Sequence, residues 1–151
     1  MKIYLNNKLR FLFIICIFSF LDQFSKLYIN FNINKLFNKD LIIFTVDYVR
    51  NFGAAFNIFS GNRLFLSMIS LISSIILFNF IFLREDKVIN KYGLSFILAG
   101  SIGNGIDRFC YGYVIDFIKI KYIDFPVFNI ADIAINIGVV IMISSYLRNK
   151  H

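Results

Sequence analysis

Residues 64–83 run for twenty positions without a charged side chain. At 1.5 Å per residue, a helix of that length reaches about 30 Å, the thickness of a bilayer's hydrocarbon core. A membrane-spanning helix is what this stretch imposes, and its Ser67, Ser70, Ser73, Ser74 and Asn79 are tolerable where neighbouring helices pack against it. The composition agrees with that solvent: of 151 residues, 58% are apolar, twenty are Phe and one is Pro. A soluble domain this small hides only about two-thirds of its chain surface and would leave much of that apolar area in water. A water-soluble monomer is excluded, and so is a disordered chain, because long polar or low-complexity runs are lacking.

Three further spans need polar residues to reach the required length. Residues 11–21 must continue through Asp22, Gln23 and Lys26 to about 29; residues 92–109 take in Asn104, Asp107 and Arg108; residues 130–147 take in Asp132 and Asn136. The first of these, preceded by Lys2, Lys8 and Arg10, has the look of a signal peptide. It lacks a small-x-small cleavage site, and Ile14 and Ile15 precede Cys16 where a lipoprotein box requires small residues, so it is expected to stay as the first helix. The expected fold is an all-α membrane protein, a single domain over residues 1–151 with helices near 11–29, 64–83, 92–109 and 130–147.

The net charge of +7 does not point to nucleic acid, because the sixteen Lys and Arg are scattered singly and form no stripe. Eight of them fall in three short segments, 1–10, 84–91 and 148–151. By the positive-inside rule both termini and the 84–91 loop are cytoplasmic, and residues 30–63 and 110–129 face the other side. Within those outer segments, 42–50 and 114–123 are rich in Ile, Val, Phe and Tyr and are bounded by Gly, Asn and Asp. Short strands are expected there, forming a small extracytoplasmic β-sheet on the bilayer.

That topology brings the costly polar groups to one level, just beneath the outer surface. Ionisable groups converging at one depth from three helices mark a wet, functional pocket. Bland readings cover several of them. Asp22 and Lys26 lie four apart and can neutralise each other. Asp107 and Arg108 fit a structural ion pair or an interfacial anchor better than catalysis, and Gly100 and Gly103 fit close helix packing. Asp132, opening the last helix, fits an N-terminal cap. A cap accounts for one Asp and not for two: Asp116 lies in the strand-like VIDF, and the loop containing Pro126 can fold it onto Asp132.

Two carboxylates sharing a site cannot both ionise, so one keeps a proton while the other acts as base. That is the chemistry of water-driven peptide hydrolysis. It needs no cofactor, and with two Cys and one His, His151, neither a metal site nor a disulfide scaffold is expected. Competing nucleophiles are weak. Ser25 and Lys26 are adjacent and diverge on a helix, Ser101 lacks a G-x-S-x-G elbow, and Cys16 and Cys110 lie at different depths without an activating His. A small proton or ion carrier is the rival reading, but such proteins place the key acid near mid-membrane, and residues 64–83 hold none.

Five motifs in order, DQFSK at 22–26, NFGAAF at 51–56, GSIGNGIDR at 100–108, VIDF at 114–117 and FNIAD at 128–132, resemble those of bacterial lipoprotein signal peptidase, also called signal peptidase II. The resemblance spans nearly the whole chain. It implies four transmembrane helices with a small extracytoplasmic sheet, the β-cradle, and an aspartic endopeptidase whose catalytic pair is Asp116 and Asp132. Asp107 is the tempting wrong choice, since GNGID nearly reads as the G-x-G-D of another intramembrane aspartic protease group. Asp22, Lys26, Asn51, Gly53, Asn104, Arg108 and Asn129 are implied to frame the pair and the substrate. The implied substrate is a prolipoprotein whose Cys carries an S-diacylglyceryl group, cut on the N-terminal side of that Cys. The implied setting is the bacterial cytoplasmic (inner) membrane, with membrane lipid and substrate as partners, no nucleic acid, no cofactor and a monomeric enzyme. Ala99 stands where the family usually has the first Gly of G-G-x-x-G-N, a change that keeps a small residue.

Overall fold

The longest helix, α1, runs from Lys2 to Leu36 and bends at Asn32, whose backbone leaves the helical region while its amide donates to Tyr28 O at 2.9 Å. Strand β1 (Phe44–Asn51), helices α2 (Arg63–Phe82) and α3 (Val88–Cys110), strand β2 (Val114–Ile120) and helix α4 (Ile130–Arg148) follow. This is a computed structural model, and it describes residues 2–53, 59–148 and 150.

Helix α3 is central and packs against α1, α2 and α4. Its close approach to α4 depends on missing side chains: a Cβ on Gly138 would stand 2.5 Å from Gly93 O, and one on Gly100 would collide with Ala131 O. The expectation of close packing at Gly100 and Gly103 holds, since a Cβ on Gly103 would lie 2.5 Å from Asp22 Oδ2 of α1.

The molecule is inside-out relative to a soluble protein. Leu64, Met68, Leu71, Ile75 and Val140 are exposed, whereas Asp22, Lys26, Asn104, Asp107, Asp116 and Asn129 are buried. Among the described residues, three helical stretches, Asn6–Leu36, Arg63–Phe82 and Ile130–Arg148, are long and apolar enough to cross a membrane. Helix α3 has the length, but its glycines, Lys91, Asp107 and Arg108 interrupt its apolar run.

Helix α1 does not stop near residue 29, as membrane thickness alone would have it. Ile29, Ile33 and Leu36 recur every three to four positions and pack with Val46, Ile115 and Phe117 of the sheet, which carries the helix another two turns. Strands β1 and β2 pair antiparallel, with Val49 opposite Asp116 and Asn51 opposite Val114, and a bulge lies between Val46 and Val49. These strands fall within the expected 42–50 and 114–123 to within a residue. After β2 the chain turns through Pro126 and comes back alongside it: Phe128 N donates to Ile118 O at 3.1 Å, and Ile118 N returns a bond to Phe128 O at 2.8 Å. This short return fixes where α4 begins.

Candidate active site

The N-terminus of α4 is built by a reciprocal cap. Asn129 Oδ1 accepts from Asp132 N at 3.0 Å while Asp132 Oδ2 accepts from Asn129 N at 3.2 Å, so two of the helix's orphan donors are satisfied by side chains. A third orphan, Ala131 N, donates to Asp22 Oδ1 at 2.9 Å, so a carboxylate on α1 caps α4. The cap reading of Asp132 is therefore correct, yet it engages only one carboxylate oxygen.

The other oxygen, Asp132 Oδ1, accepts from Asn104 Nδ2 at 2.8 Å. Asn129 Nδ2 reaches Asp116 Oδ1 at 2.6 Å, and Asn51 Nδ2 reaches Asp116 Oδ2 at 3.0 Å. One residue, Asn129, thus touches both carboxylates, and the return of Phe128 alongside β2 is what makes that possible. Asp116 and Asp132 line one cavity of about 770 Å³ together with Asn51, Asn104, Arg108 and Asn136. Burial, with the negative charge of Asp132 second, pushes the Asp116 carboxyl up to about 6 despite the bonds from Asn51 and Asn129.

Behind the cavity lies a charged layer. Lys26 Nζ stands 2.8 Å from Asp22 Oδ2, 2.9 Å from Asp107 Oδ2 and 3.1 Å from Asn104 Oδ1, so its three protons each have an acceptor. Asp107 also accepts from Ile115 N at 3.3 Å, which ties α3 to β2 beside Asp116. The expected neutralisation of Asp22 by Lys26 is present, and Asp107 is the third member that adjacency in sequence could not reveal. Arg108 points away from Asp107: its Nη2 donates to Gly53 O at 3.0 Å, and Gly53 N donates to Asn51 Oδ1 at 3.0 Å. Arg108 Nε is buried and has no partner among the described residues.

The structure brings together the nine residues expected to be catalytic or framing, in two tiers. Asn51, Asn104, Arg108, Asp116 and Asp132 face the cavity, whereas Asp22, Lys26, Gly53 and Asn129 hold those that do. Ala54, Ala55 and Phe56 of NFGAAF lie outside the described residues. Sequence reasoning missed Gln23, which donates to Asp107 Oδ1 and Gly103 O at 3.0 Å each. Its place inside DQFSK was the available signal. The Ser25 alternative fails on geometry, because its hydroxyl is bonded to Asp22 O at 2.8 Å and Lys26 is fully engaged elsewhere.

Comparison with known proteins adds a family context. The sequence model of the family described as Signal peptidase (SPase) II matches residues 14–148. A lipoprotein signal peptidase of Gloeothece citriformis is 46% identical over 98 residues, a match covering 64% of this chain and 61% of that protein. Those of Clostridium tetani (38% identical, 82% of this chain and 83% of that protein) and Trichormus variabilis (40%, 87% and 85%) match over longer stretches. A solved structure of a bacterial membrane enzyme, obtained by the in meso method at 2.3 Å resolution, superposes with a TM-score of 0.86 at 32% identity, covering 93% of this chain and 89% of that one. A second, at 1.9 Å resolution, gives 0.81 at 33% identity, with 91% and 92% covered.

Proposed function

The chain belongs to the signal peptidase II family, and from that premise we propose that it is an intramembrane aspartic endopeptidase with Asp116 and Asp132 as its catalytic pair. Its substrate is a prolipoprotein bearing an S-diacylglyceryl Cys, and it cuts on the N-terminal side of that residue. The observation that carries this reading is the meeting of two carboxylates in one cavity, joined through Asn129 and backed by the buried layer of Lys26 with Asp22 and Asp107.

In the mechanism, Asp132 is the base, being the more open of the pair, and Asp116 keeps the shared proton. Ionised Asp132 takes a proton from water as the oxygen attacks the scissile carbonyl carbon, and protonated Asp116 donates a hydrogen bond to the carbonyl oxygen as it gains charge. Collapse of the tetrahedral species breaks the C–N bond, and the pair passes a proton to the leaving amine. The products are a signal peptide ending in a carboxylate and a lipidated Cys with a free amino group. Asn51, Asn104 and Asn129 fix the carboxylates through packed hydrogen bonds, and Arg108 shapes the cavity wall through Gly53.

We place all four helices across a bacterial inner membrane, with both termini cytoplasmic and the site near the outer face of a monomeric enzyme. Helix α3 can carry its polar residues there because Lys91, Asn104 and Asp107 are buried and bonded within the protein rather than turned to lipid. Purified protein in bicelles is expected to cut a diacylglyceryl-modified prolipoprotein and spare the same chain without lipid. Equal cleavage of both would remove lipid recognition from the proposal. A fusion after His151 that is active only outside the cytoplasm would overturn the orientation.

A further inference from the structure

Four residues after Asp132, helix α4 carries Asn136, which lines the same cavity and lies outside the five motifs that frame the pair. A spacing of four keeps it on the face of Asp132, one turn or about 6 Å further along the helix. Contacts with α3 fix its level. Gly100 meets Ala131 and Ile135, and Gly138 meets Gly93 and Ile97, so Asn136 stands opposite the part of α3 near Ile97. The cavity wall there is apolar, made of Leu77, Ile97 and Ile135. Ser73 and Ser101 also line the cavity, but their hydroxyls are bonded to each other and to Ser70 O.

On this wall the Asn136 amide has no hydrogen-bond partner among the described residues, whereas Asn51, Asn104 and Asn129 are each bonded to a carboxylate of the pair. An asparagine that only has to be tolerated on an apolar helix bonds its own backbone one turn back. Asn79 Nδ2 donates to Ile75 O at 2.8 Å in this way, and Asn32 Nδ2 to Tyr28 O at 2.9 Å. Asn136 does not, and its side chain is exposed to the cavity. Ser70, whose hydroxyl is also unbonded, sits against Gly105 and so stands at the level of the pair rather than a turn beyond it. A polar group kept unpaired and accessible in a membrane-spanning helix marks a substrate path.

With the termini cytoplasmic, Asn136 lies on the inner side of Asp132, the side from which a signal peptide rises to its scissile bond. The segment to be cut must leave its helix, and the peptide groups just before the scissile bond then lack helical partners where water is scarce. A carboxamide is the complement of a peptide group, its oxygen accepting from the N–H and its NH₂ donating to the C=O. A lipid ester offers only an acceptor and would leave half of that amide unused. An extended chain advances about 3.3 Å per residue, so a turn of α4 corresponds to about two residues of substrate. We infer that Asn136 is a substrate-binding residue that bonds the backbone of the signal peptide about two residues before the scissile bond, holding the unwound segment in register with Asp116 and Asp132. This rests on the prolipoprotein reading given above.

The test is a double cycle in bicelles with synthetic lipopeptides that carry an S-diacylglyceryl Cys and a signal-peptide segment. In each of three analogues an ester oxygen replaces the backbone N–H of the first, second or third residue before the scissile bond. With wild-type protein, the ester at the second residue should lower kcat/KM by about tenfold, as should Asn136→Leu with the all-amide peptide. In Asn136→Leu protein that ester should cost less than about twofold more, because the contact is already gone. Asn136→Leu should be at least as stable as wild type in an SDS unfolding titration, since the amide it removes bonds nothing within the protein. A loss of stability, or ester and Leu effects that multiply at all three positions, would overturn the inference and leave the proteolytic reading standing. So would coupling of Asn136→Leu to a substrate with ether-linked glyceryl chains, since the amide would then serve the lipid carbonyl. Failure of the wild type to cut the all-amide lipopeptide, or its cleavage by Asp132→Asn, would overturn the proteolytic reading and the inference with it.

Discussion

Replacing Lys26 by Met isolates the energetic role of the charged layer. The ammonium is 2% exposed and its two carboxylate partners, Asp22 and Asp107, are 0% and 1% exposed, at 2.8 and 2.9 Å. Met fills a similar volume, so the change removes charge more than packing. Two buried carboxylates then face each other with only neutral donors, Ala131 N and Gln23 for one, Ile115 N and Gln23 for the other. Removing one partner of a buried pair costs about 3–5 kcal/mol, and here two anions are left. The expected loss is at least about 3 kcal/mol in an SDS-titrated unfolding equilibrium in bicelles followed by circular dichroism, where the full helical signal reports the folded state. Adding Asp22→Asn and Asp107→Asn to Lys26→Met should recover most of that loss, because no uncompensated charge remains. A loss under about 1 kcal/mol, the size of an exposed pair, or a triple variant weaker than the single one, would refute the reasoning.

Gly103→Ala should destabilise by about 1–3 kcal/mol, because its methyl would press on Asp22 Oδ2 and Ala131 Cβ where α1, α3 and α4 meet, and the same unfolding titration reads it. The pH profile of kcat/KM should fall as the shared proton leaves the pair, with a descending limb at about 6 or higher. Asn51→Ala should move that limb to higher pH, because Asn51 donates to Asp116 and favours its charged form. The same raised carboxyl binds its proton more tightly folded than unfolded. Its contribution to stability is therefore full below about 4 and lost as pH rises through about 6, which unfolding titrations at pH 4 and 7 compare.

The legible parts of this protein are those that local pattern determines. An uncharged run of twenty residues located α2 to within one residue, and segments rich in Ile, Val, Phe and Tyr located β1 and β2 to within two or three, since hydrophobic length and strand composition are properties of contiguous chain. The extension of α1 to Leu36 was not legible, because it depends on a sheet formed from residues far along the chain. The polar level was visible from topology, but its wiring was not. That Asn129 bridges Asp132 and Asp116 follows from Phe128 pairing with Ile118, a contact that no spacing in FNIAD encodes. Gln23 was passed over for the same reason: its partners Gly103 and Asp107 lie on another helix.

The most direct measurement of the central claim is single-turnover cleavage of a diacylglyceryl prolipoprotein by Asp116→Asn, Asp132→Asn and the double variant, each shown to be folded and to bind substrate. An amide can neither take a proton from water nor supply one to the leaving amine. Each single change is therefore expected to abolish turnover, and the double change to cost about as much as either alone, because groups acting as a unit are not additive. Asp107→Asn, which loses a partner of Lys26, should retain measurable activity in whatever fraction stays folded. Robust cleavage by either single variant of the pair, or loss confined to Asp107→Asn, would contradict the account.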